Sequence, residues 1–304
     1  MTKVLVVGAT GLVGSNLVRA CTERGFVVRA LVRPETLANT RKMDPIRASG
    51  AVIMEGSLED FDSLFKACKS MDIVISAVSG AQLAQQSLLV RAAIKAKVKR
   101  FIPSDFGVDA KIAGEGSCAL FDIKIKIHQA IKESGINYTF IHSNGFFEYW
   151  VYSLGQVGLT IGLTAPPDEV EFYGKGNVKF AMGSLWDIAR ITARTVDDPH
   201  TKNQEIAIIA NVMTQEELIQ LWEEISGKRV KRKPVSLADL EGIISTSTTP
   251  DTFMNRVLAQ LKRSVWFRGD AGKASNIALD ALSLYPDLHI QTVREALMQF
   301  AKAG

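Results

Sequence analysis

Gly8, Gly11 and Gly14 stand at GxxGxxG spacing directly after the apolar run Val4-Leu5-Val6-Val7. The chemistry that spacing serves is capture of a pyrophosphate. Backbone amides at a helix N-terminus, helped by the helix dipole, hold an anion where no side chain blocks its approach. Gly8 permits the sharp turn out of a strand, Gly11 lets phosphates close in, and Gly14 lets the helix pack on the sheet. Thr10, Leu12 and Val13 lie in the same turn and are counted with the glycines as dinucleotide-contacting residues. Ordinary turn glycines in a nucleotide-free α/β protein are the competing explanation. Against it stands the context: a buried-looking strand before the motif and the helical pattern Ser15-Asn16-Leu17-Val18-Arg19-Ala20 after it.

A second strand, Val27 to Val32, ends beside the place where an adenosine ribose lies in a dinucleotide fold. An acidic residue there would bind the ribose hydroxyls and repel a 2′-phosphate. This chain has Arg33, with Arg41 and Lys42 a little further on, which selects NADP(H) over NAD(H) unless Arg33 is merely a solvated loop charge. The fourth strand, Asp72 to Val78, closes into the small residues Ser79 and Gly80, leaving room for a ligand at its carboxyl end. Ala77 and Val78 are therefore placed at the cofactor.

None of Tyr138, Tyr149, Tyr152, Tyr173 and Tyr285 has a lysine four residues on, so the Tyr-x-x-x-Lys pair of short-chain reductases is missing. Lys124, in the amphipathic helix Ala119 to Ser134, follows the loop that leaves the fifth strand. A lysine desolvated in such a cleft has a lowered pKa and exchanges protons near neutrality. It could instead orient a nicotinamide ribose, or be one more solvated helix lysine.

The elements that must position these residues alternate regularly. Strands are expected at Ala51–Met54, Lys99–Pro103 and Tyr138–His142, with helices around Leu64–Ala67 and Gln82–Lys97. Short connections between alternating strands and helices demand a largely parallel sheet with right-handed crossovers. The fold class is α/β, a Rossmann-type doubly wound sheet. Residues 1–150 are assigned to the dinucleotide-binding domain and 151–304 mainly to a smaller substrate lobe, with segments near 179–210 returning to the first unit. Gly155 to Val170 reads as a loop, Lys179 to Val196 as a helix, Glu205 to Ala210 as a strand, and Thr214 as the N-cap of a further helix. Ser245 to Pro250 reads as a mobile loop.

With 304 residues, 47% of them apolar and 22% charged, the composition is that of a globular protein, and a net charge of +4 does not indicate nucleic acid. Cys21, Cys68 and Cys118 form no close pair and no metal-ligand spacing, so neither a zinc site nor a disulfide framework is suggested, which fits a reducing, cytoplasmic location. His128, His142, His200 and His289 form no ligand spacing, so no metal is expected. No apolar run is long enough for a membrane span. The basic run Lys228 to Lys233 lacks interleaved aromatics and reads as a solvated strand edge rather than a nucleic-acid patch.

Several motifs in combination resemble the isoflavone reductase-like family, the group of phenylcoumaran benzylic ether, pinoresinol-lariciresinol and isoflavone reductases and eugenol synthase within the NmrA-like atypical short-chain reductases. They are Gly8-Ala9-Thr10-Gly11-Leu12-Val13-Gly14, Leu31-Val32-Arg33, Lys99 to Gly107, Phe121 to Lys126, Tyr138-Thr139-Phe140 and Ser143-Asn144-Gly145-Phe146. Val196-Asp197-Asp198-Pro199 and Leu284-Tyr285-Pro286-Asp287 extend the likeness over nearly the whole chain. The resemblance implies NADPH-dependent reduction of a small aromatic molecule, with Lys124 removing a proton from a substrate hydroxyl and helping to expel an oxygen leaving group. It implies that Arg33 and Lys42 hold the 2′-phosphate, and that Ser104, Asp105 and Phe106, with Ser143, Asn144 and Phe146, line the nicotinamide side. A homodimer is compatible with it. Arg263 stands where the plant enzymes are expected to have histidine, and His128 where they tend to have arginine, so the pocket chemistry is expected to differ and an anionic substrate is open. Phe146, Phe147, Trp150 and Trp266 favour an aromatic pocket. A quinone or enone reductase and a dinucleotide-sensing regulator without turnover are the alternatives.

Overall fold

Val4, Leu5, Val6 and Val7 are almost wholly excluded from water because β1 (Lys3–Val7) lies inside a parallel sheet covered on both faces. A computed structural model describes residues 1–78, 80–157 and 165–301 of the chain. In chain order the first half runs β1, α1 (Leu12–Glu23), β2 (Val27–Val32), α2 (Thr40–Ala48), β3 (Val52–Glu55), α3 (Phe61–Cys68), β4 (Ile73–Ser76), α4 (Gln86–Lys95), β5 (Arg100–Ile102), α5 (Ala110–Ala113), α6 (Ala119–Ser134) and β6 (Thr139–His142). The first five strands are hydrogen-bonded in the order β3-β2-β1-β4-β5, every pair parallel. Strand residues point alternately to the two faces. Val4 and Val6 accordingly pack with α1 residues Leu17 and Val18, whereas Leu5 and Val7 pack with Leu64 of α3 and Leu89 of α4.

The later chain adds short strands β7 (Gly145–Phe146), β8 (Glu169–Tyr173), β9 (Lys179–Phe180) and β10 (Met182–Gly183), then α7 (Leu185–Asp197), β11 (Gln204–Ala207), β12 (Met213–Thr214), α8 (Gln215–Ser226), β13 (Lys231–Val235), α9 (Leu237–Thr246), α10 (Phe253–Trp266), β14 (Leu279–Asp280), α11 (Ala281–Leu284) and α12 (Val293–Ala301). β6 pairs in parallel with β11, and β11 with β14. A parallel bridge from Phe101 to Tyr138, with Phe101 N donating to Asn137 O at 2.8 Å, joins these strands to β5. The C-terminal half thus returns two strands and α7 to the same layer, and α7 packs directly on α1. A separate apolar cluster gathers Phe147, Phe180, Trp222, Val257, Trp266 and Leu297 beneath α8, α10 and α12.

Four expectations need adjustment. The helix expected over Lys179 to Val196 begins only at Leu185, because Phe180 pairs with Met213 and Met182 with Gly145 before Ser184 caps the helix through Asp187 N at 3.0 Å. Met182, buried three residues before Leu185, continues the helical spacing of the residues that follow it. The stretch from Gln82 opens as a 3-10 turn, Gly80–Gln85, before α4. Ser79 and residues 158–164 of the Gly155–Val170 loop lie outside the described residues, and Glu169 and Val170 belong to β8. α9 runs through Thr246, so the polar tract after it is shorter than its composition suggested. Thr214 does cap α8, accepting from Glu217 N at 3.1 Å while Glu217 Oε2 accepts from Thr214 N at 2.7 Å. The basic run forms the start of β13, where Arg232 pairs with Glu216 and Glu223 and Lys231 with Glu169. Among the described residues no helix is long and apolar enough to cross a membrane. The three cysteines are free and buried.

Candidate active site

The glycine turn leaves β1 at Gly8, whose φ of +80° only glycine adopts without strain, and a Cβ there would lie 2.6 Å from Ala77 O at the end of β4. At Gly14 a Cβ would fall 2.0 Å from Gly8 O, so α1 touches the turn backbone directly. Gly11 is the N-cap of α1 with no side-chain cap and no acidic residue in the first turn. The opening amides of α1 are therefore left for an outside acceptor. Leu12, one of the residues placed in this turn, is exposed, and Thr10 and Val13 are half-buried. This cradle suits a pyrophosphate, a fit tested by the space that the missing side chains leave.

Beside it the carboxyl ends of β4, β5 and β6 converge. Ser104 Oγ donates to Val78 O at 2.5 Å, and Ser104 N donates to Gln86 Oε1 at 2.7 Å, tying the fifth strand's end to the fourth and to α4. Asn144 takes a left-handed φ of +57°, its backbone N donating to Gly107 O at 2.9 Å and its side-chain amide to Ile208 O at 3.2 Å. Phe106 packs into the core, and Phe146 sits half-buried on β7. Ser76 Oγ, Ser143 Oγ and Asn144 Oδ1 are buried and have no partner among the described residues. Buried polar atoms of this kind want a ligand or water, and here three of them gather along one sheet edge.

Lys124 enters this edge from α6. Its ammonium donates to Asp105 O at 3.2 Å, stands 3.9 Å from Asp105 Oδ1, and lies 3.3 Å from where a Gly107 Cβ would be. Burial pushes the Lys124 pKa down, and the Asp105 charge opposes that only in part. Asp105 itself has no exposure, and its carboxylate faces His128 Nε2 at 3.0 Å and His142 Nδ1 at 3.1 Å. Burial alone would raise the Asp105 pKa, but the two imidazoles hold it well below the usual carboxylate range. His128 also stacks on Phe140, ring centroids 4.0 Å apart.

His142 reaches further. Its Nε2 is 3.3 Å from Glu205 Oε2 and 3.9 Å from Asp109 Oδ2. Glu205 Oε1 is held by Lys111 Nζ at 2.5 Å and Lys132 Nζ at 3.1 Å. Asp109, His142 and Glu205 are close enough together to frame a cation, yet the two ammonium groups already answer the Glu205 charge. Two of the four histidines, scattered in the chain, thus meet around one carboxylate, and neither was singled out as functional from spacing. The signals were there in pieces: Lys124, His128 and Lys132 follow one another at i, i+4, i+8 on one helix face, His142 ends β6, and Asp105 lies in the loop that leaves β5.

Arg33 follows β2 as expected, half-exposed, with Glu35 Oε1 3.2 Å from its guanidinium. Lys42 is exposed on the first turn of α2, where its backbone N caps onto Asn39 Oδ1 at 3.1 Å. Arg263 donates to Glu241 at 2.9 Å and to Ser117 O at 2.9 Å, so its charge is matched within the protein. Of the aromatics expected around a pocket, Phe147 and Trp266 are core residues. Trp266 Nε1 donates to Gly155 O at 3.1 Å, and its ring stacks on Tyr173. Phe146 and Trp150 remain half-buried and available to line a cleft.

Comparison with known proteins gives this architecture its place. The NmrA-like family profile matches residues 1–297. Phenylcoumaran benzylic ether reductase IRL1 of Ginkgo biloba is 36% identical over 310 residues, covering 98% of this chain and 99% of the relative. Pinoresinol reductase 1 of Arabidopsis thaliana is 38% identical over 263 residues, covering 82% of each. Among solved structures, AtPrR2 with NADP+ and (+)pinoresinol superimposes with a TM-score of 0.86 at 33% identity, covering 98% of each chain. A dinucleotide turn on a parallel sheet, a buried lysine at its carboxyl edge and likeness along nearly the whole length agree: the chain belongs to the NmrA-like family, in its isoflavone reductase-like group.

Proposed function

We propose that the chain reduces a small aromatic, phenolic-type substrate with NADPH, using Lys124 as the general acid and base. As a member of this group it is an oxidoreductase, and its cofactor is NADPH. The first-turn amides of α1 and the Gly8–Gly14 cradle hold the pyrophosphate, with Thr10, Leu12 and Val13 along it. Arg33 and Lys42 face the 2′-phosphate, for which Arg33 exchanges its surface contact with Glu35. Ala77, Val78, Ser104, Asp105 and Phe106, with Ser143, Asn144 and Phe146, form the nicotinamide side of the cleft. NADPH supplies the hydride when bound. The protein's own part is proton handling: a buried ammonium with a lowered pKa gives up its proton more readily than a solvated one, so Lys124 can take a proton from a substrate hydroxyl and return it to a leaving oxygen.

The observation that carries this is the position of Lys124 Nζ, buried at the carboxyl edge of the sheet and bound to Asp105 O rather than to a carboxylate oxygen. The names of the relatives direct the substrate choice to pinoresinol-type and phenylcoumaran benzylic ethers. The test is calorimetric titration with NADPH and NADH, followed by NADPH consumption against benzylic ethers, isoflavones and quinones. Turnover of an ether or isoflavone supports the proposal. Turnover of quinones alone favours the quinone reductase, and tight binding without turnover favours a redox-sensing regulator.

A further inference from the structure

His142 is nine-tenths buried or more and meets a carboxylate with each ring nitrogen: Nδ1 lies 3.1 Å from Asp105 Oδ2 and Nε2 lies 3.3 Å from Glu205 Oε2. A neutral imidazole has one N–H and one lone pair, so it would turn that lone pair on one of the two carboxylates. Only the imidazolium sets a positive charge within ion-pair distance of both, hydrogen-bonding Glu205 through Nε2 and meeting Asp105 at Nδ1 as a charge contact rather than an aligned hydrogen bond. Asp105 is then shared, its Oδ2 facing His142 and His128 and its Oδ1 facing Lys124 at 3.9 Å. Each neighbouring element contributes charge here. α6 brings Lys124, His128 and Lys132, with Cys118 at its N-cap, the loop after β5 brings Asp105, α5 brings Lys111 and its N-cap Asp109, and β11 brings Glu205.

We propose that His142 is a positioning residue for Lys124: fixed as an imidazolium between Asp105 and Glu205, it anchors the Asp105 carboxylate and offsets its charge, so that the Lys124 ammonium is not pinned in an ion pair. This rests on the proposed role of Lys124 as proton carrier. Among the described residues the lysine keeps only a carbonyl acceptor within hydrogen-bond distance, and the charge of its nearest carboxylate is answered by the imidazolium. Consistent with this, burial would lower the His142 pKa, but Asp105, Glu205 and Asp109 raise it to about 10. Glu205, steadied by Lys111 and Lys132, is what keeps the second ring nitrogen protonated.

The experiment is a pH titration of the full chain by NMR, following histidine ring nitrogens and the lysine side-chain carbons. Wild type is compared with His142→Asn and Glu205→Gln, and Lys124→Arg identifies the Lys124 signal. Asparagine can keep a donor near the Nδ1 position but carries no charge. In wild type, His142 is expected to stay doubly protonated well above the ordinary histidine midpoint of about 6.5. In His142→Asn the Lys124 midpoint is expected to rise by about one pH unit, because a like charge has been removed beside a carboxylate. In Glu205→Gln the His142 midpoint is expected to fall. A wild-type His142 that titrates at its ordinary midpoint overturns the proposal, even where His142→Asn does not fold. A folded His142→Asn with an unmoved or lowered Lys124 midpoint overturns it equally. None of these readouts depends on turnover, so failure of the reductase assignment would appear separately, in the NADPH assay.

Discussion

Gly11 and Gly14 separate the two jobs of the dinucleotide turn, and a methyl group at each should fail differently. At Gly11 the backbone is extended, with φ −81°, so alanine fits the conformation, and its Cβ would lie 3.3 Å from Gly8 O. That contact needs only a few tenths of an ångström of relief. Restricting the unfolded chain returns roughly 0.4–1 kcal/mol, so Gly11→Ala should unfold within about 1 kcal/mol of wild type. At Gly14 the Cβ would sit 2.0 Å from Gly8 O and 2.7 Å from Gly8 C, both backbone atoms that cannot rotate away. α1 must lift off the turn. Overpacking of this kind costs about 1–3 kcal/mol or more, and the helix preference for alanine over glycine, about 1 kcal/mol, offsets only part of it. Denaturant unfolding of the cofactor-free variants measures these differences, and NADPH calorimetry measures the other half. Gly11→Ala should bind NADPH at least tenfold more weakly, about 1.4 kcal/mol, although it unfolds like wild type. Gly11→Ala binding NADPH as wild type does, or Gly14→Ala unfolding at the wild-type midpoint, would refute the division of roles.

Arg33→Ala should lose most of the preference for NADPH over NADH while leaving NADH binding intact; equal losses for both cofactors would show that Arg33 does not face the 2′-phosphate. Stability should fall on both sides of neutrality. Asp105 and Glu205 have folded pKa values below their ordinary range, so their contribution is present above about pH 4 and is lost as pH falls below it. His142 is raised to about 10, so its contribution is complete below its ordinary midpoint and fades as pH rises through about 10. Urea midpoints measured across pH should trace that dome, and a flat alkaline limb would count against the His142 assignment. Arg100, buried at the start of β5, donates to Thr195 O at 2.7 Å and Thr201 Oγ1 at 3.1 Å, bracing the end of α7. Arg100→Met strips those acceptors and should cost about 3 kcal/mol in denaturant unfolding; a change near zero would mean the acceptors find water.

The parallel half of the fold was legible because local signals and long-range pairing agree there. Val4 to Val7 and Val27 to Val32 are short β-branched runs bounded by turns, and both are central strands. Lys124 was legible as a candidate for a similar reason: its distance from the strand β5 places it at the carboxyl edge. The stretch from Lys179 to Ser184 misled because Met182 stands three residues before Leu185 and so continues the spacing of α7, whereas its burial comes from pairing with distant Gly145, as that of Phe180 comes from Met213. Trp266 looked like pocket material and proved to be core for a comparable reason, since its neighbours Tyr173 and Phe180 come from β8 and β9. The ion network was hidden most completely. Asp105, His142 and Glu205 lie on three separate segments, and only the order of β5, β6 and β11 in the sheet brings them together.

The most direct test of the central claim is transfer of label from NADPH deuterated at the nicotinamide carbon that carries the hydride, using a benzylic ether substrate and mass spectrometry of the product, for wild type and Lys124→Met side by side. Deuterium is expected in the wild-type product, with Lys124→Met binding NADPH normally yet forming product at least about a hundredfold more slowly, the lower end of what a general acid and base contributes. Labelled product from Lys124→Met at the wild-type rate would contradict the account, as would wild type that binds NADPH and labels no substrate in the panel.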